Sequence, residues 1–115
     1  MTVRQRGRHA EDLAAAFLQQ RGLVIVERNY RCRYGEIDLI AREGRTLVFV
    51  EVRMRTREDF GGAAASITAA KRGKLSRAAR HFLAGAARMP ACRFDAILVS
   101  GPEHAIEWLK NAFGE

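Results

Sequence analysis

Two cysteines, two prolines and one tryptophan in 115 residues leave little room for a disulfide-stapled or proline-rich design. Cys32 and Cys92 stand apart, with no CxxC pair and no histidine at zinc-ligand spacing. That pattern excludes a zinc ribbon or finger and predicts two free thiols in a reducing compartment. No run approaches the roughly 20 apolar residues that a bilayer span requires, so no membrane partner is expected. The opening MTVRQRGRHAEDL carries basic residues but lacks the apolar core of a secretory signal, and the expected location is cytoplasmic. Repeats, low-complexity tracts and linkers are also missing. The length then suits one domain over 1–115, with 1–6 as a loose basic tail.

Present instead is an ordinary folding composition, 48% hydrophobic and 29% charged, with a net charge of +7. The charge is unevenly placed. Residues 1–35 carry +4, 36–51 carry −2, 52–93 carry +8 and 94–115 carry −3. An acidic island between basic segments suits a polyanion whose backbone is brought to a cation. A generically solvated, arginine-rich surface is the plainer alternative.

The island lies in Gly35 to Arg55, GEIDLIAREGRTLVFVEVRMR, which reads as two strands joined at Glu43-Gly44. Alternation puts Glu36, Asp38 and Ile40 on one face of the first strand. In the second, Leu47, Phe49, Glu51 and Arg53 share a face. A two-residue turn would pair Arg42 with Arg45, setting Asp38 opposite Phe49 and Glu36 opposite Glu51. Like charges directly opposite destabilise a strand pair, and a bound cation would supply the reason for gathering them. Another turn length breaks this count but still lets Asp38 and Glu51 meet. Simple pairing of these acids with Arg53 and Arg55 is the alternative.

Ahead of the hairpin, Ala10, Leu13, Ala14, Phe17 and Leu18 recur at helical spacing, predicting a helix over 7–21 stopped by Gly22. Glu11 and Asp12 would lie near its N-terminal end, where acids are favoured. LVIVER, 23–28, reads as a strand, and NYRCRY, 29–34, as a basic connector whose Tyr30 and Tyr34 either stack on nucleic acid or lean on the sheet. After the hairpin, TREDFGGAAA is a loop, and a second helix is expected over 66–88 with Ser66 as its N-cap. Its apolar stripe is Ile67, Ala70, Leu75, Ala78, Ala79, Phe82 and Leu83. Lys71, Arg72, Lys74, Arg77 and Arg80 give five cations in ten residues with no acid among them, a candidate nucleic-acid face. RFDAILVS, 93–100, looks like an interior strand, and AIEWLKNAF a last strand or short helix with Trp108 as a packing residue. The order helix, three strands, helix, strand, last element makes an α/β sheet flanked by helices, with a right-handed crossover if the third and fourth strands are parallel.

Asp38, twelve intervening residues, then Glu51-Val52-Arg53 resembles the motif of the PD-(D/E)xK nuclease superfamily. More narrowly, the first helix with Glu11, the GEIDLIA and LVFVEV strands, the FGG loop followed by Lys71-Arg72, the RFDAILV strand and the terminal NAF resemble the YraN-like family of predicted bacterial endonucleases. The resemblance spans nearly the whole chain. It implies a restriction-endonuclease-like fold with a mixed central sheet, metal-binding acids at Asp38 and Glu51, and a first-helix acid at Glu11. It also implies a metal-dependent nuclease acting on DNA, including branched or junction DNA. By analogy with junction resolvases, it suggests a homodimer. The motif's lysine falls on position 53, where this chain has Arg53.

Asp38, Glu51, the Val52 carbonyl, and Glu11 or Glu36 would form a hard-oxygen site suited to Mg²⁺ or Mn²⁺ rather than zinc. Arg55, Lys71, Arg72, Lys74, Arg77 and Arg80 would receive the phosphate backbone. Arginine does not lose its proton in proteins, so Arg53 can orient water or clamp phosphate but cannot act as a base. Three readings follow: Arg53 acts by its charge alone, Lys71 replaces the lysine, or the protein binds nucleic acid without cleaving it. A scaffold whose basic face meets an acidic protein is a further alternative.

Overall fold

The computed structural model describes residues 2–55, 69–101 and 103–112, with the side chains of Val3 and Arg55 excepted. The expected loop at 56–65, Ser66 and Ile67 lie outside the described residues. The elements are α1 (Val3–Gln20), β1 (Val24–Cys32), β2 (Gly35–Glu43), β3 (Thr46–Arg55), α2 (Ala69–Leu83), β4 (Cys92–Ser100) and β5 (Ala105–Leu109). The sheet runs β1-β2-β3-β4-β5. Its neighbours are antiparallel except β3 and β4, which are parallel and connected through α2. The last element is thus a strand. Among the described residues, no helix is long and apolar enough to cross a membrane.

The helix stripes decide the layers. Ala10, Ala14, Ala15 and Leu18 of α1 pack on Leu39, Ala41, Val48, Val50, Ile97 and Val99. Leu75, Ala78, Ala79 and Leu83 of α2 pack on the other face, against Ile37, Ile40, Phe49, Phe94 and Ala96. Ala70, expected in that stripe, is exposed.

Several boundaries correct the sequence expectations. The described part of the basic tail belongs to α1 from Val3 on, with Thr2 as its N-cap. The Thr2 hydroxyl accepts from the Gln5 N–H at 3.2 Å, and the Gln5 side chain accepts from the Thr2 N–H at 2.9 Å. This reciprocal cap satisfies two donors that a helix start leaves without partners. Glu11 and Asp12 therefore lie two turns in, and no acid sits in the first turn. Most of the expected connector continues β1 to Cys32, and α2 ends at Leu83, short of the expected 88.

The hairpin turn is Gly44-Arg45, closed by Glu43 opposite Thr46, with Gly44 at φ +60°. The register therefore differs by two from the expected one. Ile40, not Asp38, faces Phe49, and Glu36 pairs with Arg31 of β1 rather than with Glu51. The three carboxylates are not lined up on one face.

At the turn end, fully buried Asp95 of β4 accepts from Arg93 Nε at 3.0 Å, Trp108 Nε1 at 2.9 Å and the Asn111 N–H at 2.9 Å. Arg93 Nη1 also donates to Glu43 at 2.6 Å, and that bond holds the Glu43 carboxyl below its usual range. Charge-assisted bonds of this kind keep a buried carboxylate satisfied and tie β5 to the hairpin.

At the other end, Gly35 opens β2 at φ +148°, where a Cβ would stand 3.5 Å from Lys74 Cβ. The backbone conformation excludes side chains and α2 lies directly against it. Gly35→Ala is expected to cost of order 1–3 kcal/mol, read as a lower urea midpoint. It would also loosen α2 from the hairpin, read as faster amide exchange at Leu75 and Ala78.

Candidate functional site

Strand alternation breaks within β2. Ile37 and Ile40, three residues apart, both face α2, whereas Leu39 and Ala41 face α1. Across from the break, Asn29 of β1 has φ +53°, between the Arg28–Leu39 and Tyr30–Ile37 pairs. From the turn, paired positions of β2 and β3 run back only as far as Leu39 and Val50. Beyond them the Val52 N–H donates to Asp38 Oδ2 at 2.9 Å. The Asp38 carboxylate thus takes a place in the sheet's own hydrogen bonding, where the strands part.

Acids reach this opening from both faces. Oxygens of Glu11 on α1, Glu36 and Asp38 lie within 4.8 Å of one another. Glu51, only 5% exposed, comes from the α2 side. It is ion-paired to Lys71 Nζ at 2.7 Å and Arg53 Nε at 3.5 Å, and it shares a hydrogen bond with Asp38. Burial first, and the neighbouring Glu51 charge second, push the Asp38 carboxyl up to about 8, against the lowering effect of the Val52 N–H. Burial and Glu36 also raise Glu11.

Asn29 holds the outer pair together. With its carboxamide nitrogen facing the acids, the orientation that satisfies the hydrogen bonding, it donates to Glu11 at 2.9 and 3.1 Å and to Glu36 at 3.1 Å. Arg31 Nε lies 3.6 Å from Glu36. Arg4, Arg8 and Arg31 join Glu11, Asn29 and Glu36 around an open cleft of about 440 Å³.

Asp38, Glu51, Glu11, Glu36, Arg53 and Lys71 therefore come together, and Val52 contributes its N–H. Arg72, Lys74, Arg77 and Arg80 are exposed along α2. The Arg55 side chain lies outside the described residues. Sequence reasoning missed Asn29, Arg31, Arg4 and Arg8, having placed the first two in a connector and Arg4 in a tail. The one available signal was asparagine's tolerance of the left-handed region.

A mixed five-stranded sheet between helices, with acids gathered where its central hairpin opens, defines a protein of the restriction-endonuclease-like α/β fold. The model of the uncharacterised protein family UPF0102 matches residues 10–99. A UPF0102 protein of Nitrosomonas europaea is 63% identical over 111 residues, covering 96% of this chain and 94% of its own. Relatives in Nitrosospira multiformis (60% over 114 residues, 98% and 96% covered) and Dechloromonas aromatica (56% over 112 residues, 97% and 91% covered) carry the same family name. The chain belongs to the UPF0102 family, the YraN-like proteins.

The raised Asp38 value sets a pH dependence for folding. A carboxyl with a folded pKa of about 8, against 3.8 ordinarily, binds its proton more tightly in the folded state. Its contribution to stability is complete below pH 3.8 and disappears as pH rises through about 8. Urea midpoints in EDTA should fall between pH 5 and pH 9, and Asp38→Asn should flatten that slope.

Proposed function

We propose that this protein is a metal-dependent nuclease that hydrolyses phosphodiester bonds in DNA, with Mg²⁺ or Mn²⁺ as its cofactor. The observation that carries the reading is the convergence of Asp38, Glu11, Glu36 and Glu51 at the parted strands, at the expense of a raised Asp38 pKa. Four carboxylates without cysteine or histidine fit a hard divalent cation, and a cation there would relieve the repulsion. Asp38 with Glu11, Glu36 or Glu51, and the Val52 carbonyl, would hold it. Bound, it supplies charge for the phosphoryl oxygens and acidifies water.

The chain's own residues do the rest. Lys71 stands 2.7 Å from Glu51 and takes the place of the motif lysine, from the helix instead of the strand. A lysine near a buried acid can orient the attacking water and also pass a proton; Arg53 can do only the first. Arg53, beside the same Glu51, clamps phosphate as a fixed cation. Arg4, Arg8 and Arg31 rim the cleft on the α1 side, while Arg72, Lys74, Arg77 and Arg80 extend a basic track along α2. Phosphate contacts from such a track give salt-sensitive affinity without sequence preference.

Cleavage of end-labelled duplex, flap and four-way-junction DNA in Mg²⁺ or Mn²⁺ tests the reading. Wild-type cleavage should exceed that of the Asp38→Ala/Glu51→Ala double variant, and equal rates would sink the enzyme. Lys71→Met should lower the rate by about 10²-fold or more, in the range usual for losing a proton-transfer group. Arg53→Ala should act mainly on KM. Arg53 at the motif position favours one second reading, a binder without turnover, whose mark is salt-sensitive association with intact DNA and recovery of cleavage in Arg53→Lys.

Asn29→Gly keeps the left-handed backbone and removes the carboxamide. Loss of a group that orients ligands typically weakens metal binding 10- to 100-fold. Titration with Mn²⁺, followed by its paramagnetic relaxation of water, should show a drop of that size.

A further inference from the structure

Beyond Lys74 the α2 surface meets the end of the first hairpin in a second cleft. Tyr34, Arg77, Arg80, His81 and Ala84 line about 400 Å³ of it, and none of these is acidic. The Tyr34 ring is fixed there. Arg33 sits over it, 4.8 Å from its centroid, and donates to its hydroxyl at 2.6 Å. His81 packs against Tyr34 with ring centroids 6.0 Å apart, tilted at 63°. Behind this pair, Tyr30 hydrogen-bonds to His81 and packs edge-on against Phe82 at 5.2 Å, joining the rings to the α2-side core.

A rigid aromatic ring beside two arginines matches the chemistry of one unpaired nucleotide. The base finds a π-surface and the phosphates find guanidinium groups. A duplex offers its phosphates but keeps its base faces stacked, so it can use the arginines and not the tyrosine. Lys71, Lys74 and Arg77 fall along one ridge of α2, and six to ten residues separate Lys71 from Arg77 and His81. That is roughly 9–15 Å of helix, a span of a few nucleotides.

Resting on the nuclease reading for its partner, we propose that this cleft receives an unpaired nucleotide, its base stacked on Tyr34 and its phosphate on Arg77 and Arg80. The preferred substrate is then DNA whose duplex passes into a single-stranded tail. The tail leaves the acidic site along the α2 ridge.

Fluorescence anisotropy in EDTA, where no cleavage occurs, reads the cleft separately from the reaction. Wild-type protein should bind a tailed duplex more tightly than a blunt duplex of the same sequence. It should also quench 2-aminopurine placed in the first few tail positions. Tyr34→Leu keeps bulk but loses the ring, and should cost roughly 5- to 150-fold on the tailed DNA with little change on the blunt one. Tyr34→Trp should retain the preference, which guards against a variant that merely folds poorly. Equal affinity of the wild type for tailed and blunt DNA would overturn the proposal, as would equal losses on both in Tyr34→Leu. Tail preference in EDTA without cleavage in Mn²⁺ would keep the cleft and remove the nuclease. Cleavage without tail preference would do the reverse.

Discussion

Repulsion among carboxylates at close range is what the central part of this structure has to accommodate. Glu11, Glu36, Asp38 and Glu51 come from three elements and meet at the opening, where Asp38 and Glu51 are largely shielded from solvent and Glu36 remains exposed. Three different devices hold them. Asp38 takes the Val52 N–H, Glu51 takes Lys71 and Arg53, and Glu11 and Glu36 share Asn29. The devices reduce the repulsion without cancelling it, and what remains, from Glu51 above all, adds to burial in raising Asp38.

The sheet creates the meeting place by failing to close. A fully zipped hairpin would keep the α1 face and the α2 face apart, and Glu11 would have no path to an acid neighbouring Lys71. The β2–β3 pairing ends at Leu39 and Val50, beside the slip in alternation between Ile37 and Ile40, and the left-handed Asn29 lies across β2 from that slip. Asp38 sits where the pairing ends. Both helices then become parts of one site while each continues to bury its apolar stripe on its own side. Such an opening sacrifices ladder hydrogen bonds, and buried backbone donors need partners. The Asp38 carboxylate provides one for Val52, so one interaction both shapes the site and repairs the damage that shaping causes.

Stability is recovered elsewhere. At the turn end Arg93, Asp95, Trp108 and Glu43 form a hydrogen-bonded polar network that fastens β5 and the hairpin together. The reciprocal cap at Thr2 and Gln5 secures the start of α1, which carries Glu11 and two arginines of the cleft rim. Acids crowd one end of the sheet and matched charges close the other. That polarity separates the acid-lined opening from the part that holds the fold.

Much of this was legible in residue order. Helical spacing located both helices, apolar runs located the first four strands while leaving the fifth open between strand and helix, and acids inside GEIDLIA and LVFVEV marked where unusual chemistry lay. These are local properties, written in periods of 3.6 and 2 residues. The hairpin register was not legible, because turns at Glu43-Gly44 and at Gly44-Arg45 both offer a glycine and preserve the same parity of faces. Nor was Asn29's place, since a backbone that turns left-handed inside a strand leaves no pattern in neighbouring residues. By itself the sequence determined the two helices, the first four strands and which side chains carry charge. Only the tertiary structure decided that Lys71, twenty residues after Glu51, lies beside it, and that acids from both faces share one opening. Those contacts depend on where strands separate and helices land, which packing across the whole sheet settles.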